Sequence, residues 1–156
     1  MKYNYILVPS VLAWFLAQII KTIIVLIQTK KFSFERLFGP GGMPSGHSAM
    51  VCSAVVAVGR QFGVDGFEFA MIVMFALVVL YDAMGVRREA GNHAHEINII
   101  KKMMNISAID ASNDPPEEKN RKKEKELKEI LGHTPLQCLC GGALGVIMAL
   151  VFPMSL

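Results

Sequence analysis

With 156 residues the chain has room for one domain, yet 53 % of it is hydrophobic and its mean hydropathy is +0.41, high for a soluble domain. Sixteen Lys and Arg against thirteen Asp and Glu give a net charge of +3, and these charges are segregated, long charge-free runs alternating with a dense basic-acidic stretch. That pattern argues against a soluble globular protein and for an all-α integral membrane bundle. The basic residues interleave with Glu, so anionic lipid headgroups explain them better than nucleic acid does.

In chain order, Ile6 to Gln28 reads as the first membrane helix. About 23 residues at 1.5 Å each cover the hydrocarbon thickness. The run is too long for a cleavable signal and contains Lys21. Lys21 snorkels to the interface, pairs structurally, or has a functional role inside the membrane. Residues 29 to 42 form a loop with Lys30, Lys31, Glu35 and Arg36 among four apolar side chains, suited to the membrane interface. A second helix is expected over 44–62 and a third over 67–83, joined by the turn Gly63-Val64-Asp65-Gly66. A shorter amphipathic helix follows over 92–104, with His93, Ile97, Ile100 and Met104 on one stripe that should face the bundle. The stretch from Asn105 to Pro116 is linker-like, and Glu117 to Leu131 reads as a charged, solvated helix. Gly132-His133-Thr134-Pro135 breaks it, and the last span runs over 135–152. Gly141 and Gly145 form a GxxxG pair there, for packing within the chain or between two copies. Cys52, Cys138 and Cys140 all fall in apolar segments and read as small buried residues, without zinc spacing or an even disulfide framework.

The expected architecture is therefore a single membrane domain over 1–156, with four transmembrane helices plus two cytoplasmic helices in an insert over about 87–134. The two loops on one side of the four spans hold three and ten of the sixteen Lys and Arg. The positive-inside rule puts that side in the cytoplasm. A four-span bundle is thin, which makes a homodimer plausible.

Chemistry gathers on the same side. Gly41-Gly42-Met43-Pro44-Ser45-Gly46-His47 is a glycine- and proline-rich turn running into an apolar helix. Proline suits a first helical turn, and the unpartnered N–H groups there, at the positive end of the macrodipole, suit an anion, phosphate above all. The bland alternative is an ordinary N-cap. Lys30, Lys31, Arg36, Arg87 and Arg88 could supply charge to a phosphate ester, His47 and His93 an acid and a nucleophile, and Asp82 or Glu96 a partner that orients an imidazole. His133 reads as a cap or loop anchor. No His pair has metal-ligand spacing with a carboxylate, so neither a metal nor another cofactor is expected.

Pro44-Ser45-Gly46-His47 resembles the central motif of the type 2 phosphatidic acid phosphatases, the superfamily shared with vanadium haloperoxidases. Three pieces resemble a divergent membrane branch of that superfamily: Gly-Gly-Met-Pro-Ser-Gly-His-Ser-Ala at 41–49, Tyr-Asp-Ala-Met-Gly-Val-Arg-Arg-Glu-Ala-Gly at 81–91, and Leu-Gly-His-Thr-Pro at 131–135. The resemblance implies that Ser45, Gly46 and Arg87 bind phosphate, that His47 protonates the leaving group, and that His93, with five residues between it and Arg87, is the nucleophile. Three departures accompany it. Val86 stands where the superfamily has Ser, Ile97 where it has the Asp that orients the nucleophile, and Arg36 is followed by Leu37 instead of Pro. The expected function is that of a membrane phosphatase-like protein hydrolysing a lipid or isoprenoid phosphate through a phosphohistidine, its site at the cytoplasmic face of a bacterial cell membrane. The alternative is a non-catalytic protein that binds or translocates an anionic phospho-lipid.

Overall fold

The computed structural model describes residues 4–30, 42–103 and 132–153. They form five helices: α1 (Leu7–Thr29), α2 (Gly46–Phe62), α3 (Phe67–Met84), α4 (Val86–Met103) and α5 (Pro135–Val151). The class is all-α, as expected. Lys31, Arg36 and the charged stretch of 117–131 lie outside the described residues.

The packing inverts the pattern of a soluble bundle. Small and polar residues form the interior: Ala13, Ala17 and Ala49 are fully buried, with Leu144 and Met148 packed against them, and Ser45, Ser48 and Ser53 are buried as well. Large apolar side chains point outward, among them Phe15, Ile23 and Ile27 on α1, Met74, Leu77 and Val78 on α3, and Leu139, Ile147 and Leu150 on α5. In water this surface would drive aggregation; in lipid it is the solvated face.

α2 is the central helix, packed against α1, α3 and α5. Its innermost position explains its composition. A helix enclosed by three others needs little hydrophobic surface toward lipid, so Ser48, Ser53 and Gly59 are tolerated. Length and hydropathy alone mark α1, and the segment that begins with α3, as able to cross a membrane; α5 is apolar but only 17 residues long.

The Gly141–Gly145 pair serves packing within the chain. A Cβ at Gly141 would collide with the Ser45 carbonyl oxygen, and one at Gly145 with that of Ala49. The two glycines let α5 approach α2 backbone to backbone, and the Ser45 N–H donates to the Gln137 carbonyl at 3.0 Å across that contact. Arg60 closes the far end. Its Nη1 donates to the carbonyls of Ala149, Leu150 and Phe152, which the end of α5 leaves without helical partners.

Two expectations are corrected. The amphipathic helix is longer than its periodicity indicated: α4 begins at Val86, directly after a break at Gly85. Its buried residues are Gly91, Ala94 and Asn98, while His93, Ile97 and Ile100 are exposed. An apolar stripe is free to face outward where the surroundings are lipid. Lys21, for its part, is buried within the protein, 5 % exposed, its stem against the turn at Gly42.

Candidate functional site

The turn before α2 is built by its glycine and serine. Gly42 adopts φ +86°, a left-handed conformation that side chains other than glycine rarely take. Pro44 precedes the helix, where the sequence placed it in the first turn. Ser45 is the N-cap, and its Oγ accepts from the Ser48 N–H at 3.4 Å and the Ser48 hydroxyl at 3.0 Å. The Ser45 hydroxyl is fully buried and committed to that cap, so the anion-binding capacity of the turn lies in the N–H groups of Gly46 and His47, the first of α2. Gly46 is the close-approach residue: a Cβ there would stand 3.1 Å from the Trp14 ring and 3.5 Å from Gln18 Nε2.

His47, in the first turn, is exposed and faces His133, with ring centroids 6.5 Å apart and planes inclined at 61°. His133 comes from the Gly132-His133-Thr134-Pro135 turn. Gly132 takes φ +80° and backs onto the chain at Arg87 and Arg88: a Cβ on it would lie 2.5 Å from the Arg88 nitrogen. The His133 N–H donates to the Ala83 carbonyl at 2.9 Å, tying the turn to the end of α3. Thr134 and Gln137 form a capping box at the start of α5. Gln137 Oε1 accepts from the Thr134 N–H at 3.1 Å, which fixes the orientation of the amide, so the His133 Nδ1 at 3.3 Å is a donor to it. Burial pushes the His133 imidazole below its ordinary value; Lys21 and His47 push the same way, against hydrogen bonds to Gln137 and the Gly42 backbone. His133 is thus a loop anchor, as its sequence context indicated, and also the imidazole that faces His47.

Asp82 and Arg87 form an exposed ion pair, Arg87 Nε to Oδ2 at 2.5 Å. Arg87 is the second residue of α4, two residues beyond Gly85, and both charges act on His47. Arg88 is exposed, and His93 is exposed on the outward side of α4. The structure brings together Ser45, Gly46, His47, Arg87 and Asp82, and adds Lys21, Gln18 and His133. Sequence reasoning left a functional role for Lys21 as one alternative and missed Gln18 and His133 as site residues. The available signals were Gln18 and Lys21, one turn apart on a membrane helix, and a His beside a capping box.

Below the turn an apolar cavity of about 470 Å³ runs along α2 between α1 and α3. Leu7, Met50, Val51, Ile72, Phe75 and Val79 line it, and His47 stands in its wall. Among the described residues no group of three His, Cys, Asp or Glu side chains could hold a metal ion.

A helical membrane bundle with a Pro-Ser-Gly-His turn at the head of its central helix belongs to one class: a membrane protein related to the type 2 phosphatidic acid phosphatases. Residues 2–148 match the Divergent PAP2 family, and the chain belongs to that family. It is 37 % identical over 149 residues to YuiD, an uncharacterized membrane protein of Bacillus subtilis, a match covering 95 % of this chain and 93 % of the relative. No solved structure matches the chain.

Proposed function

We propose that the protein acts on a lipid or isoprenoid phosphate at the cytoplasmic face of a bacterial membrane, as a phosphatase-like protein. One observation carries this reading: His47 belongs both to the anion-binding turn and to the wall of the apolar cavity. A ligand that satisfies both has a phosphate head and a hydrocarbon tail. The cavity is of small-molecule size, in a range of about 300–1,000 Å³, and α1 and α3 flank it where the large side chains face lipid.

In the reaction, an imidazole attacks phosphorus and a P–N bond forms as the P–O ester bond breaks. The departing alkoxide takes a proton from the His47 imidazolium. Water then cleaves the P–N bond and returns a proton to His47, so the net change is ester plus water to alcohol plus phosphate. The resemblance assigns the attack to His93. Asp82, by holding Arg87, sets where that cation stands.

The second reading is a protein that binds or moves an anionic phospho-lipid without cleaving it. Two observations favour it: Arg87 is engaged by Asp82, and His93 is exposed on α4. Phosphate release by purified protein in detergent decides between the two. The substrates are phosphatidate, phosphatidylglycerol phosphate and polyprenyl mono- and diphosphates, with His47→Ala, His93→Ala and Arg87→Ala alongside. Turnover lost in all three supports the phosphohistidine route. Turnover kept in His93→Ala removes His93 as nucleophile, and no turnover on any substrate removes the enzyme reading.

A further inference from the structure

Lys21 is a buried ammonium in an electropositive place. Its stem lies against the turn, so that a Cβ on Gly42 would be 3.2 Å from Lys21 Cδ and 3.3 Å from Cγ. It is close enough to both imidazoles, His47 and His133, to act on them electrostatically. The positive end of α2 and Arg87 are also at this site. The one ion pair among the described residues joins Arg87 to Asp82, and no carboxylate among them reaches Lys21. A buried cation among other cations is costly unless an anion compensates it.

Gln18, one turn away on the same face of α1, carries a complementary vacancy. It is 9 % exposed, its amide abuts Gly46, and its Oε1 is buried without a hydrogen-bond partner. A free carbonyl oxygen asks for a donor. The site therefore offers the Lys21 ammonium, the N–H groups of Gly46 and His47, and one buried acceptor. Only an anion that also carries a proton meets all of them. A phosphate group fits, because with a second ionisation at about pH 6 roughly one ester in ten keeps its O–H at pH 7, and a buried acceptor favours that form. Sulfate has no such proton.

We propose that Lys21 and Gln18 of α1 form the phosphate subsite of this protein, Lys21 neutralising the oxyanion and Gln18 accepting from the phosphate O–H. No motif marks either residue. The proposal rests on the reading that the Ser45-Gly46-His47 turn receives a phosphate, but not on whether that phosphate is cleaved.

The test is calorimetric titration of the detergent-solubilised protein with inorganic phosphate, sulfate, dioctanoyl phosphatidate and dioctanoylglycerol, with phosphate release measured in parallel. The variants are Lys21→Met, Gln18→Leu and, as a control on α4, Lys102→Met. Lys21→Met keeps the length of the chain and removes a buried charge, so it should fold at least as well as the parent. It is expected to weaken binding of inorganic phosphate and of phosphatidate by about ten- to a hundredfold, the loss of one charge-assisted contact. Lys102→Met should bind as the parent does. Parent protein should prefer phosphate to sulfate, and Gln18→Leu should narrow that preference. Phosphatidate binding while inorganic phosphate does not would show that the ligand is the lipid headgroup, the subsite standing. Lys21→Met binding phosphate like the parent overturns the proposal, whether or not phosphate is released. A preference for phosphate unchanged in Gln18→Leu removes Gln18 from the subsite. Lys21-dependent binding without turnover upholds the subsite and defeats the enzyme reading. A parent protein that binds none of the phosphates defeats both.

Discussion

Gly145→Ala adds one methyl group, at the point where two backbones meet. Its Cβ would run into the carbonyl oxygen of Ala49, which belongs to the central helix and cannot rotate away as a side-chain tip would. The helices must separate locally. Overpacking of this kind costs about 1–3 kcal/mol. The separation also strains the bond from the Ser45 N–H to the Gln137 carbonyl, a further contribution of about 0.5–1.5 kcal/mol if it is lost. Against this, alanine favours the helix over glycine by about 1 kcal/mol. The net expectation is a loss of about 1–3 kcal/mol. Gly142→Ala is the internal control: its Cβ would stand 3.2 Å from the Cys52 sulfur, a side-chain atom that can move, so the helix-propensity gain should offset the contact. The assay is thermal unfolding in one detergent, followed by circular dichroism, with oligomeric state read by light scattering. Gly145→Ala should melt clearly below the parent and Gly142→Ala close to it. If Gly145→Ala melts with or above the parent, the close contact between α2 and α5 is wrong. If its melting is unchanged but its oligomeric state shifts, the glycine pair serves contact between copies.

Three other expectations are open to direct measurement. Burial holds the His133 imidazole below its ordinary value near 6.5, so the unfolded chain takes up that proton first; the stability it contributes is present above about pH 6.5 and falls as the pH drops. Melting temperature should therefore decline on acidification in the parent, and decline less in His133→Gln; equal slopes would remove His133 as a source. Arg60→Met strips three carbonyls at the end of α5 of their donor and should cost about 1–3 kcal/mol in melting experiments while leaving phosphate binding unchanged. In a background lacking native cysteine, Asp65→Cys, in the turn between α2 and α3, should react with an impermeant thiol reagent from outside intact cells; reaction only after permeabilisation would reverse the orientation.

The helical membrane character, the turns at 63–66 and 132–135 and the organising role of the 41–49 stretch were all legible in the chain. Each rests on local chemistry: hydropathy over a span, glycine where the backbone turns left-handed, serine or threonine at a cap. The family is legible too, because Pro-Ser-Gly-His and the 81–91 and 131–135 pieces are contiguous. What depended on approach between distant segments was not legible. The stripe of His93, Ile97 and Ile100 has helical periodicity, but in lipid an apolar stripe can face outward as readily as inward, and Gly91 and Ala94 are the buried residues instead. Lys21 had the composition of a snorkelling residue until the turn at Gly42 closed over its stem. His133 lies 86 residues from His47 in the sequence, and only the contact of α5 with α2, permitted by two missing side chains at Gly141 and Gly145, sets the two rings face to edge. Hydropathy and capping act within a few residues of the chain, whereas the meeting of Lys21, Gln18, His47 and His133 is decided by which helices can approach, and that is a property of the packed bundle.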